Sequence, residues 1–167
     1  SNVITKWAIT DQDFIMTEVN SNKKVNLFNL KSNKSIKKTR YVDRSSNARV
    51  FESYELPIES DYRTTPQEIE KLVRREKINF DHLVVMDYGH NFFDHEVTKD
   101  YLNFGVPVSV NTQSNAGNRG FNPISNYLNA DIVFLNGSEV QVEMRNKVSN
   151  LEKIITDLGT KLNCKEL

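Results

Sequence analysis

Three short stretches carry side chains able to do chemistry. "MDYGHNFF" (Met86 to Phe93) ends an apolar run in an acid, Asp87. A carboxylate there can orient a sugar hydroxyl or a metal-bound water, or it can cap the turn that follows. "VNTQSNAGNRGFN" (Val110 to Asn122) gathers Asn111, Gln113, Asn115 and Asn118. Amide side chains both donate and accept, which suits a polyhydroxylated ligand. Arg119, beside Gly120, can fork onto a phosphate or carboxylate. The same composition also serves a loop whose side chains satisfy its own backbone. "FLNGSEV" (Phe134 to Val140) sets Asn136 and Glu139 three apart at a strand-to-helix junction. An Asn and a carboxylate so placed could hold a hydrated Mg²⁺ near a phosphate. On pattern alone the better reading is a capping box, with Asn136 as cap and Glu139 at the third helical position. The chain has neither a Walker phosphate loop nor a Gly-x-Gly-x-x-Gly dinucleotide fingerprint. His90 and His95 have no Cys or third His nearby, which argues against zinc.

The elements that must position these residues follow from hydrophobic period. "HLVVMD" (His82 to Asp87), "VPVSVN" (Val106 to Asn111) and "ADIVFLN" (Ala130 to Asn136) read as strands buried on both faces. Helical patterns alternate with them: Thr65 to about Lys77, His95 to Phe104 with Asp94 as cap, Ser138 to Lys147, and Asn150 to Leu162. Thr65-Pro66 followed by Glu68 is a helix start. Alternating strands and helices argue a doubly wound parallel sheet. All three strands end in polar residues, Asp87, Asn111 and Asn136, and ligands of open α/β sheets bind outside the carboxyl ends of the strands.

The N-terminal third reads differently. After a short helix over 11–18, Lys24 to Leu30, Ser35 to Asp43 and Ala48 to Leu56 alternate apolar and polar, divided by "KSNK" and "RSSN". That pattern predicts a small antiparallel meander. The expected division is residues 1–60 for helix and meander and 61–167 for the α/β core.

At 167 residues the chain can build one domain of ordinary size with a real core. Lys plus Arg and Asp plus Glu both number 22, so nothing points to capture of nucleic acid or an anionic membrane. A lone Cys164 excludes a disulfide framework and fits a reducing, cytoplasmic setting. There is no signal peptide and no apolar run able to span a bilayer. The opening Ser1-Asn2 resembles a scar of tag removal and is set aside.

Asp87-Tyr88-Gly89-His90, "VNTQSNAGNRGFN" and "ISNYLNADIVFLNGSEV" together resemble the sugar-kinase half of bacterial heptose-phosphate kinase/nucleotidyltransferases, the proteins that make ADP-heptose. That half belongs to the ribokinase-like, or PfkB, family. The resemblance runs from about Asp11 to Cys164. It implies a three-layer α/β/α sandwich with a small antiparallel β lid, ATP and Mg²⁺ as cofactors, and a phosphorylated sugar as substrate. It implies that Asp87, Asn111, Gln113, Asn115, Asn118 and Arg119 meet sugar or phosphate. Asn136 and Glu139 would be the family's Asn-x-x-Glu element, holding Mg²⁺ through water. Asn111-Thr112-Gln113 stands where such enzymes often carry Asp-Pro-Lys, a departure on the nucleotide side. The family's Gly-Ala-Gly-Asp element, whose Asp is the base, does not occur in the sequence, nor does the early Gly-Gly segment. The chain therefore resembles the middle of a kinase domain without either end, and the expectation is that it transfers no phosphate alone. Two other readings stand beside the kinase: a module that binds sugar phosphate without transfer, and a dimerisation module pairing through the lid.

Overall fold

The computed structural model describes residues 2–6, 11, 26–57, 63–93, 103–114, 118 and 120–167. The chain divides into two compact units, Ser1–Arg63 and Thr64–Leu167. The expected helices over 11–18 and His95 to Phe104 lie outside the described residues, apart from their ends.

The first unit holds two small sheets. β1 (Asn2–Thr5) and β2 (Asn26–Asn29) pair in parallel, and the Asn26 amide donates to the Asn2 side-chain oxygen at 2.9 Å. Asn2, set aside above as a scar of tag removal, is thus the first residue of β1. β3 (Lys37–Val42) and β4 (Arg49–Glu55) form an antiparallel hairpin with a register shift at Tyr41/Val42. The expected three-stranded meander is therefore two-stranded, because β2 takes β1 as its partner. The "RSSN" turn is closed by one carboxylate. Asp43 accepts from the backbone N–H groups and hydroxyls of Ser45 and Ser46, and these donors hold its carboxyl down at about 2.

The second unit carries α1 (Pro66–Arg75), β5 (Leu83–Asp87), β6 (Val108–Thr112), a 3₁₀ turn (Ile124–Asn126), β7 (Ile132–Phe134), α2 (Gly137–Glu143) and α3 (Leu151–Leu162). The strands form one parallel sheet in the order β5-β6-β7. Val85, Val110 and Val133 stand abreast and buried, because the register places them side by side and successive residues alternate faces. They pack on Ile124, Tyr127 and Val140 and on Ile154, Leu158 and Leu162 of α3. The four-residue spacing of that last trio puts it on one face of the helix. Fully burying each such side chain contributes about 1.5–3 kcal/mol.

β6, the central strand, is buried on both faces, at Ser109 as well as at Val108 and Val110, but β5 and β7 are not. On the face away from this core, Val84, Met86 and Phe134 are each more than half exposed. A continuous apolar run does not by itself show whether one face or two are covered. The helix expected over Ser138 to Lys147 stops at Glu143, where Arg145 turns left-handed (φ 49°) and Asn146 begins a new turn. Asp131 ties the strand starts together by accepting from the Val108 N–H at 2.8 Å and pairing with Lys165, whose ammonium holds the Asp131 carboxyl below its usual range. Among the described residues, no helix is long and apolar enough to cross a membrane.

Candidate functional site

The carboxyl ends of β5 and β6 and the junction after β7 converge on one edge, as the strand-end pattern predicts. What the polar side chains do there is specific. Asp87 is buried at the end of β5. One of its carboxylate oxygens accepts from the Gly89 N–H at 2.8 Å, and the other accepts from the Tyr127 hydroxyl at 2.8 Å. Its backbone carbonyl accepts from the Gln113 N–H at 2.8 Å and from the Asn122 amide at 3.1 Å. A buried carboxylate must be hydrogen-bonded, and Asp87 meets that demand from within the fold. It fastens β5 to the Asn-rich loop and to the core.

The loop is pinned in the same manner. The Asn118 amide donates to the carbonyl of Tyr88 at 3.0 Å and to that of Gln113 at 2.9 Å. Asn118 lies against Gly89, whose φ is +66°. A Cβ at Gly89 would sit 2.0 Å from the Asn118 amide nitrogen. This glycine is required twice, for its backbone conformation and for the space it leaves. Asn122 is buried too. Its Nδ2 is committed to the Asp87 carbonyl, while its Oδ1 is covered and has no hydrogen-bond partner. Gln113 turns its side chain outward. Asn111 projects from the face of β6 opposite Val110 and donates to the Phe134 carbonyl at 2.7 Å. Asn115 and Arg119 lie outside the described residues.

Asn136 and Glu139 form the capping box that the pattern favours. The Asn136 side chain accepts from the Glu139 N–H at 3.0 Å, and the Glu139 carboxylate accepts from the Asn136 N–H at 2.9 Å. Asn136 is therefore the cap of α2, not the last residue of β7. The second Glu139 oxygen reaches across to the loop and accepts from the Ser114 N–H at 3.0 Å. Thr65 and Glu68 form the same reciprocal box at the start of α1. There, among the described residues, no partner from another element is seen on the acid, so the link to Ser114 sets Glu139 apart.

A cavity of about 500 Å³ opens between the loop and the helices. Thr112, Ser114 and Asn122 line one side, and Glu139, Glu143 and Lys161 another. Glu143 and Lys161 pair at 2.9 Å. Among the described residues no three His, Cys, Asp or Glu side chains gather to ligate an ion directly. Each Glu139 oxygen accepts one backbone N–H and keeps a second lone pair. Those lone pairs fit the waters of an ion that keeps its hydration shell, as Mg²⁺ does.

The structure brings Asp87, Gln113, Asn118, Asn136 and Glu139 to one edge and turns Asn111 toward the other face of the sheet. Sequence reasoning missed Tyr127, Asn122 and Ser114. Tyr127 carried a signal, an aromatic inside the polar "ISNYLNAD". Ser114 carried none, because it contributes only its backbone.

No family model matches the chain, and no curated protein matches it by sequence. Solved structures do match it. A carbohydrate kinase from Agrobacterium tumefaciens aligns over 95% of this chain and 50% of its own, at 16% identity and a TM-score of 0.64. Phosphofructokinase-2 from Escherichia coli, in complex with potassium, aligns over 98% and 53%, at 11% identity and a TM-score of 0.68. A pyrophosphate-dependent kinase in the ribokinase family, complexed with a pyrophosphate analog and myo-inositol, aligns over 96% and 54%, at 13% identity and a TM-score of 0.53. The chain spans about half the length of these structures. With its parallel α/β sheet and small antiparallel sheet, it has the ribokinase-like fold.

Proposed function

We propose that this chain is part of a PfkB-type carbohydrate kinase that transfers the γ-phosphate of ATP to a heptose-phosphate-like sugar, in nucleotide-sugar synthesis of the ADP-heptose kind. The observation that carries the reading is the polar edge itself: on a ribokinase-like sheet, the loop after β6 and the Asn136–Glu139 pair meet at the carboxyl ends of the strands, where ligands of open α/β sheets bind. Carbohydrate-kinase neighbours support the general activity. The heptose phosphate rests only on the sequence resemblance, of which "VNTQSNAGNRGFN" is the most specific string.

In this reading Gln113, Asn115 and Arg119 meet the sugar phosphate, and Asp87, Asn118 and Asn122 hold their loop in place. Asn136 and Glu139 hold a hydrated Mg²⁺, which when bound offsets charge on the phosphates. No Gly-x-Gly-Asp element occurs in the sequence, so the residues present bind and orient a substrate but supply no base. The 167-residue chain is therefore expected to bind a sugar phosphate and to turn over neither ATP nor pyrophosphate with it. Turnover with either donor, followed by ³¹P NMR, sinks the second expectation. Arg119→Ala is expected to abolish sugar-phosphate binding in calorimetry and to leave the melting temperature nearly unchanged. An equal loss of stability would mean that the loop serves only itself.

A second reading, a homodimer through the hairpin, has its own observation. Tyr41 and Phe51 stack at 4.1 Å and are both about half exposed, with Val42 and Val50 exposed beside them. A lone two-stranded hairpin is marginal in water, and its unpaired edges invite another chain. Light scattering should find a dimer that Phe51→Glu dissociates. A monomeric unaltered chain removes this reading.

A further inference from the structure

We propose that Glu139 is a positioning residue that sets the Asn-rich loop in its ligand-binding shape through the backbone N–H of Ser114. The inference rests on the sugar-phosphate reading above. It adds a role to Glu139 distinct from any contact with an ion.

The geometry is asymmetric in an informative way. Capping α2 needs only one oxygen of Glu139, the one that accepts from the Asn136 N–H at 2.9 Å. The other oxygen is directed to another element, 25 residues back in the chain, and accepts from Ser114 at 3.0 Å. The Glu139 side chain is buried, and a charge-assisted bond in such a place is stronger than one in water. Ser114 opens the stretch leading to Asn118. Asn118 is held in turn by its amide against Tyr88 and Gln113. Ser114 and Asn118 are thus each fastened, once by a carboxylate and once by an amide. If the Glu139 fastener is removed, Ser114 loses its anchor, while the strands keep their core.

Calorimetric titration of the 167-residue chain with sedoheptulose 7-phosphate in Mg²⁺-free buffer tests this. Glu139→Ala removes both acceptors, the one on Ser114 and the one that caps α2. Ser114→Pro removes the N–H instead and leaves Glu139 intact. Each variant is expected to weaken binding roughly tenfold, equivalent to about 1.4 kcal/mol. The double variant should bind no more weakly than Glu139→Ala alone, because both changes delete the bond to Ser114. Thr65→Ala, which removes the cap of α1 and touches no part of the loop, lowers stability and should leave the affinity unchanged. This separates positioning from a general loss of fold. Retained affinity in Glu139→Ala, or losses that multiply in the double variant, would overturn the proposal. If the unaltered chain binds no sugar phosphate, the reading beneath it falls as well. If Arg119→Ala abolishes binding while Glu139→Ala leaves it unchanged, only the proposal about Glu139 falls.

Discussion

The hairpin of the first unit and the Asn-rich loop of the second are both rich in polar residues, and they use them in opposite ways. In the hairpin, Lys38, Arg40 and Arg49 converge on Glu52 at the surface, with Arg40 at 2.7 Å. In the loop, Asn118 and Asn122 turn inward and donate to backbone carbonyls, and Glu139 accepts from backbone N–H groups. The partners of the first set are other side chains in water, and the contribution of each pair is screened and small. The partners of the second set are main-chain groups, and the Asp87 carbonyl that Asn122 takes is buried, with no alternative to a protein partner. Polar composition therefore says little about stability until the partner and its burial are known.

Gly89→Ala is the most severe test of that contrast. The new Cβ meets the Asn118 amide at 2.0 Å from a left-handed backbone, which should cost about 3 kcal/mol in urea unfolding. A loss below about 1 kcal/mol would mean that the loop is not held where it is seen. Tyr127→Phe comes next. It deprives the buried Asp87 carboxylate of a donor and should cost about 2 kcal/mol by the same measurement. Asn118→Ala frees two carbonyls near the surface, where water can take up part of the loss. About 1–2 kcal/mol is expected, with faster hydrogen exchange at the loop amides and not in α3.

The smallest effect belongs to the hairpin. Arg40, first among its cationic neighbours, holds the Glu52 carboxyl down at about 2 from an ordinary value of 4.5. A carboxyl depressed on folding contributes stability above its unfolded value, and that contribution is lost as pH falls toward the folded one. The tyrosine signal of the hairpin should therefore change between about pH 4.5 and pH 2, and Glu52→Gln should flatten that change. High salt should weaken the effect further and leave the loop variants untouched. If the loop variants proved as salt-sensitive as Glu52, the distinction between the two regions would fail.

Much of the second unit could be read from the sequence, and the reason is local. Continuous apolar runs marked β5, β6 and β7, and helical periodicity marked α3, since burial in a core imposes both. Thr65, Pro66 and Glu68 marked the start of α1, and Asn136 and Glu139 that of α2, because a capping box is closed within four residues. The first unit was read less well. The alternation of Asn26–Asn29 is the same whether its partner is β1 or β3, and pairing is a long-range choice. The run "LVVM" reads alike whether one face is covered or two.

By itself, then, the sequence determined the three strands and the end of β5 at Asp87, whereas β6 runs one residue past Asn111 and β7 stops two residues before Asn136. Side-chain chemistry and strand period are properties of short segments. Only the tertiary structure decided which of those polar groups are committed inward. Asp87 to Tyr127 spans 40 residues, Asn118 to Tyr88 spans 30 and Glu139 to Ser114 spans 25. A buried donor or acceptor takes whichever partner the packed fold brings within reach, and no spacing along the chain encodes that.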